Sequence, residues 1–150
     1  MPSREVAIIV ALAALLPGSG RWPQGPVPPQ RPPISEKDAR TPAQQKINSQ
    51  VLYEIYRRRG EAMEKGVPPG KTGVKIDEKG RALVDVRVDV TPAIERAIRK
   101  SGGAIVSTSP AYHSVIAWVP LLKLEALAEN AAVTAIEPAA EAMTNPKPPT

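Results

Sequence analysis

Hydrophobic and polar positions between residues 81 and 137 change period several times, and each change marks a predicted element. Over residues 81–90 the side chains alternate as in a half-buried strand, and the face expected to be buried carries Val84, Val86, Val88 and Val90. Thr91 is a good helix N-cap and Pro92 suits the first helical position. A helix is therefore predicted next, ending at Gly102 and Gly103.

Two further strands, a second helix and a last strand follow by the same criteria. The predicted elements are strands at 104–109, 113–119 and 133–136, and a helix that opens at Pro120, has Leu124 and Leu127 in the core and stops near Asn130. The order β-α-β-β-α-β predicts an α+β fold, a ferredoxin-like two-layer sandwich. Right-handed crossovers would place the first and third strands in the centre and both helices on one sheet face.

The β-α-β-β-α-β module spans residues 81–138. Ahead of it, the pattern of residues 41–80 predicts an extra N-terminal helix and a hairpin. Thr41, Pro42 and Gln44 form a capping-box start, so one helix is predicted over 42–59. Its apolar stripe comprises Ile47, Val51, Leu52, Ile55 and Tyr56. A loop follows over 66–73, and a hairpin then leads into the first strand, with Gly80 at the position that needs positive φ.

The first forty residues have the composition of an export signal and a spacer. Arg4 precedes an apolar run over 6–16 and then small residues, which predicts a signal peptide over 1–20. The run is too short for a permanent membrane span, so the protein is expected to be secreted or periplasmic. The alternative is an apolar N-terminus without a targeting role. Residues 21–40 are rich in proline and predict a semi-rigid linker.

The formal net charge of +5 and pI near 9.7 do not predict nucleic-acid binding. Arg57, Arg58 and Arg59 are consecutive, so they spread around a helix. The chain has no Phe with which to stack bases. It has no Cys, and His113 is its only histidine. No catalytic triad, metal site or cofactor is therefore expected, and an enzyme is not predicted.

The segment SGGAIVSTSPAYHSVIAWVPLLKLEALAENAAVTAIEPA, residues 101–139, resembles the N-terminal propeptide domain of subtilisin-like serine proteases. The shared features, in order, are Gly102-Gly103 before a strand, Leu-Glu-x-Leu-Ala at 124–128 on a helix, and Val-x-x-Ile-Glu-Pro at 133–138. The resemblance covers about residues 84–138, and the wider arrangement over 46–145 is similar to the region upstream of the catalytic domain in large secreted bacterial subtilases.

The resemblance implies two contact regions for a subtilisin-like protease. The open sheet face would pack against surface helices of the enzyme, and its expected interface residues are Leu83, Val106, Ile116 and Trp118. Alternatively, the helix predicted over 42–59 covers this face. The segment after the last strand would lie extended in the substrate cleft, and its expected residues are Glu141, Ala142, Met143, Thr144 and Asn145. The alternative is that residues 139–150 form only a flexible tail, as chain ends commonly do.

The predicted function is thus that of a secreted protease-binding module, acting as inhibitor or folding chaperone. The protease would be a separate chain or part of a longer parent chain. Pro146 argues against cleavage after Asn145, because proline after the scissile bond blocks serine proteases. The alternatives are a structural or adaptor domain of the cell envelope, or the remnant of a truncated subtilase.

Overall fold

The structure is a computed structural model that describes Gly25 and residues 35–140. It shows an α+β protein with a four-stranded antiparallel sheet and several helices. The predicted signal peptide and the predicted cleft segment, residues 141–145, lie outside the described residues. The predicted linker over 21–40 is described only at Gly25 and from residue 35 on.

The sheet has the strand order β2-β3-β1-β4, with β1 and β3 in the centre. The strands are β1 (Arg81–Val88), β2 (Ala104–Ser109), β3 (Ser114–Pro120) and β4 (Val133–Pro138). All neighbouring strands are antiparallel. β1 ends two residues before the predicted end, because its pairing with β4 shifts at Arg87/Val88 and stops there. β4 runs on to Pro138, which pairs with Val84.

The helix after β1 begins where the sequence predicts. It is α3 (Pro92–Lys100), and the Thr91 hydroxyl accepts a hydrogen bond from the Ile94 amide at 3.3 Å. Gly102 has φ 90°, and a Cβ at Gly103 would lie 2.7 Å from the Ile98 carbonyl oxygen. Both glycines are therefore required, the first by its backbone conformation and the second by close packing.

The helix predicted from Pro120 is shorter than expected. It opens as a 3₁₀ turn (Leu121–Lys123) and continues as α4 (Leu124–Ala128). No side chain caps this first turn, and the Leu121 amide donates instead to the Gly80 carbonyl at 3.1 Å. Leu124 and Leu127 are buried, so their predicted core positions are confirmed.

The prediction of one helix over 42–59 is wrong, because main-chain pairing with β4 interrupts it. The structure has α1 (Pro42–Gln45) and α2 (Ser49–Arg59). Between them, the Ile136 amide donates to the Lys46 carbonyl and the Asn48 amide donates to the Ile136 carbonyl, both at 2.8 Å. The predicted capping box at Thr41 is present, and the Asn48 side chain caps α2.

The N-terminal extension shares the core of the module. All five residues of its predicted stripe are buried, in one cluster with the inward valines of β1 and with residues of α3 and α4. Glu125 of α4 links the extension further, since its carboxylate accepts a hydrogen bond from the side-chain Nε2 of Gln44 at 2.6 Å and forms an ion pair with Arg59. Hence α2 lies on the same side of the sheet as α3 and α4, and the alternative that it covers the opposite face is wrong.

The predicted hairpin before β1 is present. Ile76 forms a β-bridge with Ala82, and Gly80 in the turn has φ 73°.

Truncating the buried leucines of α4 should destabilise the protein strongly. Leu124→Ala and Leu127→Ala should each lower the free energy of unfolding by about 2–5 kcal/mol, because each removes packed apolar volume. Urea denaturation followed by circular dichroism measures the loss. Leu122→Ala is the matched control, since Leu122 is 49 % exposed and should cost far less. Equal stability of all three variants and the parent would contradict this core.

The Glu125 ion pair should make stability depend on pH. Burial raises the pKa of Glu125, but hydrogen bonds from Arg59 and Gln44 outweigh it, so the pKa lies below the usual value. The stabilisation is thus present above the unfolded pKa of about 4.3 and is lost as the pH falls through the folded value. Glu125→Gln should lower the free energy of unfolding by about 1 kcal/mol at neutral pH. Denaturation at acidic pH should show a smaller difference, and a difference independent of pH would refute the linkage.

Candidate functional site

The face of the sheet away from the helices is the candidate site. Alternation along β1 turns Val84 and Val86 towards the core and Leu83, Asp85 and Arg87 to the other face. The strand register extends this face across β3 in rows, namely Leu83 with Trp118, Asp85 with Ile116, and Arg87 with Ser114.

The predicted interface residues on this face differ in accessibility. Val106 is 58 % exposed, whereas Ile116 and Trp118 are partly buried. Leu83 is only 6 % exposed, so it supports its cross-strand neighbour Trp118 more than it offers contact area itself. The β2–β3 register shifts between Ile105 and Ser107, which leaves Val106 as the extra residue of a bulge. Bulges redirect side chains and twist a strand, which accounts for the exposure of Val106.

Charged side chains occupy only one half of this face. From Ser101 to Leu122 the chain contains no Asp, Glu, Lys or Arg, so β2 and β3 carry no formal charge there. β1 and β4 instead supply Asp85, Arg87 and Glu137. The face therefore has an apolar half around Trp118 and an ionic half along β1 and β4. The long uncharged run was the signal in the sequence from which this division could have been predicted.

Arg87 is the centre of the ionic half. Its guanidinium lies 3.1 Å from an Asp85 carboxylate oxygen and 3.7 Å from a Glu137 carboxylate oxygen. The Ser114 hydroxyl donates to the second Asp85 oxygen at 2.6 Å. Asp85 is thereby satisfied by two partners, while the more exposed Glu137 lies at the longer distance from the guanidinium.

His113 lies in the turn between β2 and β3. Its backbone is left-handed (φ 49°), and its Nδ1 is 2.6 Å from Asp89 Oδ1, with both side chains mostly exposed. The neighbouring Ser114 hydroxyl is engaged by Asp85 instead. Among the described residues, no group of three or more His, Cys, Asp or Glu side chains is placed to hold a metal ion.

The chain leaves the sheet beside β1, on the side of β1 opposite to Trp118. Beyond Pro138, the Ala139 amide donates to the Leu83 carbonyl at 3.1 Å, and Leu83 is the cross-strand partner of Trp118. Ala139 is buried, so the chain still follows β1 at this point. Of the predicted cleft segment, the structure describes only this starting point.

Comparison with known protein families, with curated proteins and with solved structures found no match. Within residues 35–140, none of the helices has the length and apolar character needed to cross a membrane.

Trp118 should report the partly covered state of this face in the free protein. In a Trp22→Phe variant of the full chain, all tryptophan emission comes from Trp118. Because its ring is partly buried beside Leu83, its acrylamide quenching should fall between that of a free tryptophan and that of a core tryptophan. The Trp118→Phe variant, which retains Trp22, is the control. Quenching of Trp118 as fast as that of free tryptophan would contradict the described packing.

Proposed function

We propose that this protein is a secreted, non-catalytic module that binds a subtilisin-like serine protease, as an inhibitor or as a folding chaperone. The observation that carries the proposal is that its two contact regions flank the same residue of β1, Leu83. The partly exposed Trp118 lies opposite Leu83, and the Leu83 carbonyl also receives the amide of Ala139, where the tail begins. A partner docked on this face would therefore meet the start of the tail as well.

The proposal includes a ferredoxin-like topology for residues 81–138. Support comes from the element order, the antiparallel pairing and the strand order with β1 and β3 central. Right-handed crossovers through α3 and α4 would complete this topology and place both helices on one face. The opposite face would then be available to the protease, as the resemblance of residues 101–139 to subtilase propeptides implies.

The two halves of the sheet face have different roles in this proposal. Trp118, with Ile116 and Val106, provides the apolar centre of the interface, where a large aromatic side chain contributes most of the binding energy. Asp85, Arg87 and Glu137 form a polar rim that sets orientation and speeds association. A protease surface that fits is apolar opposite β2 and β3 and carries at least one cation opposite Glu137.

The tail would act by main-chain pairing in the substrate cleft. Glu141, Ala142, Met143, Thr144 and Asn145 would extend along the enzyme as an added strand. Small side chains in this segment, such as that of Ala142, suit a narrow substrate cleft. Pro146 would make the bond after Asn145 resistant to cleavage, which favours lasting blockage of the cleft over processing.

Loss of the Trp118 ring should weaken inhibition without unfolding the protein. For a subtilase that the full chain inhibits, Trp118→Ala should raise the inhibition constant roughly 30-fold, equivalent to about 2 kcal/mol. Leu122→Ala is the matched control, because Leu122 is an exposed apolar residue away from the sheet. The panel should include subtilases from the source organism. If the full chain neither inhibits nor assists the refolding of any of them, the proposal fails and the envelope-adaptor alternative takes its place.

Removal of the tail should separate binding from inhibition. A variant that lacks residues 140–150 should lose blockage of the cleft yet still bind the protease through the sheet face, because the Trp118 region stays intact. Calorimetry measures binding, and hydrolysis of a small peptide substrate measures blockage. Full inhibition by the truncated chain would show that the tail plays no part.

A further inference from the structure

The helical side of the protein carries an open groove that the proposed protease contact does not use. It consists of two adjoining depressions that share Lys123. One, of about 320 Å³, lies between α3 and α4 and is lined by residues that include Ala97, Lys100, Ala126 and Leu127. The other, of about 340 Å³, lies beside the 78–80 turn and is lined by residues that include Arg58, Lys79, Pro120 and Leu122.

Four cationic side chains line the groove, namely Arg58, Lys79, Lys100 and Lys123. All four residues are exposed, and none forms an ion pair with another residue of the described part of the chain. The flanking Arg57 and Arg59, in contrast, pair with Glu54 and Glu125. Among the described residues that line the groove, Glu78 is the one with a carboxylate. The groove thus has a surplus of positive charge that the described residues of the chain do not neutralise.

The guanidinium of Arg58 lies close to Gly80 in the 78–80 turn. Gly80 has φ 73°, and a Cβ on it would lie 2.9 Å from an Arg58 guanidinium nitrogen. A side chain at this position would therefore strain the backbone and displace the guanidinium. The turn leaves room for Arg58 to lie across it.

The floor of the groove is apolar, and this restricts the classes of ligand that fit it. Leu122 is 49 % exposed, and Pro120, Ala97 and Ala126 line the same depressions. None of the described residues that line the two depressions is aromatic, whereas single-stranded nucleic acids are held by stacking on aromatic rings. Carboxylates that reach the four cations would bring adjacent apolar side chains onto this floor.

We propose that this groove binds an acidic segment of a partner protein, in which carboxylates are interspersed with apolar side chains such as leucine or alanine. The cations would steer the segment to the groove, and the apolar floor would select it. The groove is built from helices and the 78–80 turn, so the proposal does not depend on the partner of the sheet face.

Binding of an acidic peptide by the full chain tests the groove directly. The probe is a fluorescein-labelled peptide of alternating glutamate with leucine and alanine, followed by fluorescence polarisation at low ionic strength. Lys123→Gln and Arg58→Gln should each weaken binding about fivefold, as expected for the loss of one charge contact. Lys71→Gln is the matched control, since it removes the same charge from an exposed lysine that lines neither depression. Equal loss in the Lys71 variant would overturn the proposal, because it would show a response to net charge alone.

Two altered probes test the chemistry of the partner. A peptide with glutamine in place of glutamate should lose binding, and one with serine in place of leucine should bind several-fold more weakly. Retained affinity of the serine peptide would overturn the role of the apolar floor. Tighter, Lys123-dependent binding of a single-stranded oligonucleotide or of anionic phospholipid vesicles would assign the groove to another class of ligand and overturn the proposal.

Discussion

Val84, Val86 and Val88 turn to the same side of β1 and are buried together, and this burial decides where everything else lies. The apolar faces of α2, α3 and α4 must come to that side to exclude water from the valines. Among residues 35–140, no helix then covers the opposite face, and the helices present their own polar sides to solvent. Both proposed binding surfaces are thus consequences of one dry interface between sheet and helices.

Much of this arrangement could be predicted because local chemistry agrees with the final fold. Alternation located β1, and Thr91 with Pro92 marked the start of α3 to the residue. The stripe on residues 47–56 identified buried positions correctly even though the helix that carries them is interrupted. In each case the residues that set the local structure are neighbours in sequence, so the pattern contains the information.

The errors arose where a distant partner overrode the local pattern. The interruption of the predicted helix at 46–48 depends on hydrogen bonds to Ile136. No residue pattern near Ile47 predicts a strand-like pairing. The side of the sheet taken by α2 was equally hidden, because an apolar stripe does not specify which apolar surface it meets. For the candidate site, the sequence predicted the residues of the sheet face. It did not predict the bulge that exposes Val106 or the near-complete burial of Leu83, since both depend on cross-strand register.

The pairing of residues 46–48 with Ile136 also has a consequence for synthesis on the ribosome. The chain is made from its N-terminus, so α1 and α2 emerge long before β4, the strand edge to which their connecting segment is fastened. Until residue 136 has left the exit tunnel, the stripe of α2 lacks its last supporting strand and remains exposed to other nascent chains and to chaperones. The contact between the first helices and the last strand therefore forms late in folding. A pause in translation within the last strand would prolong the time that α1 and α2 spend without it.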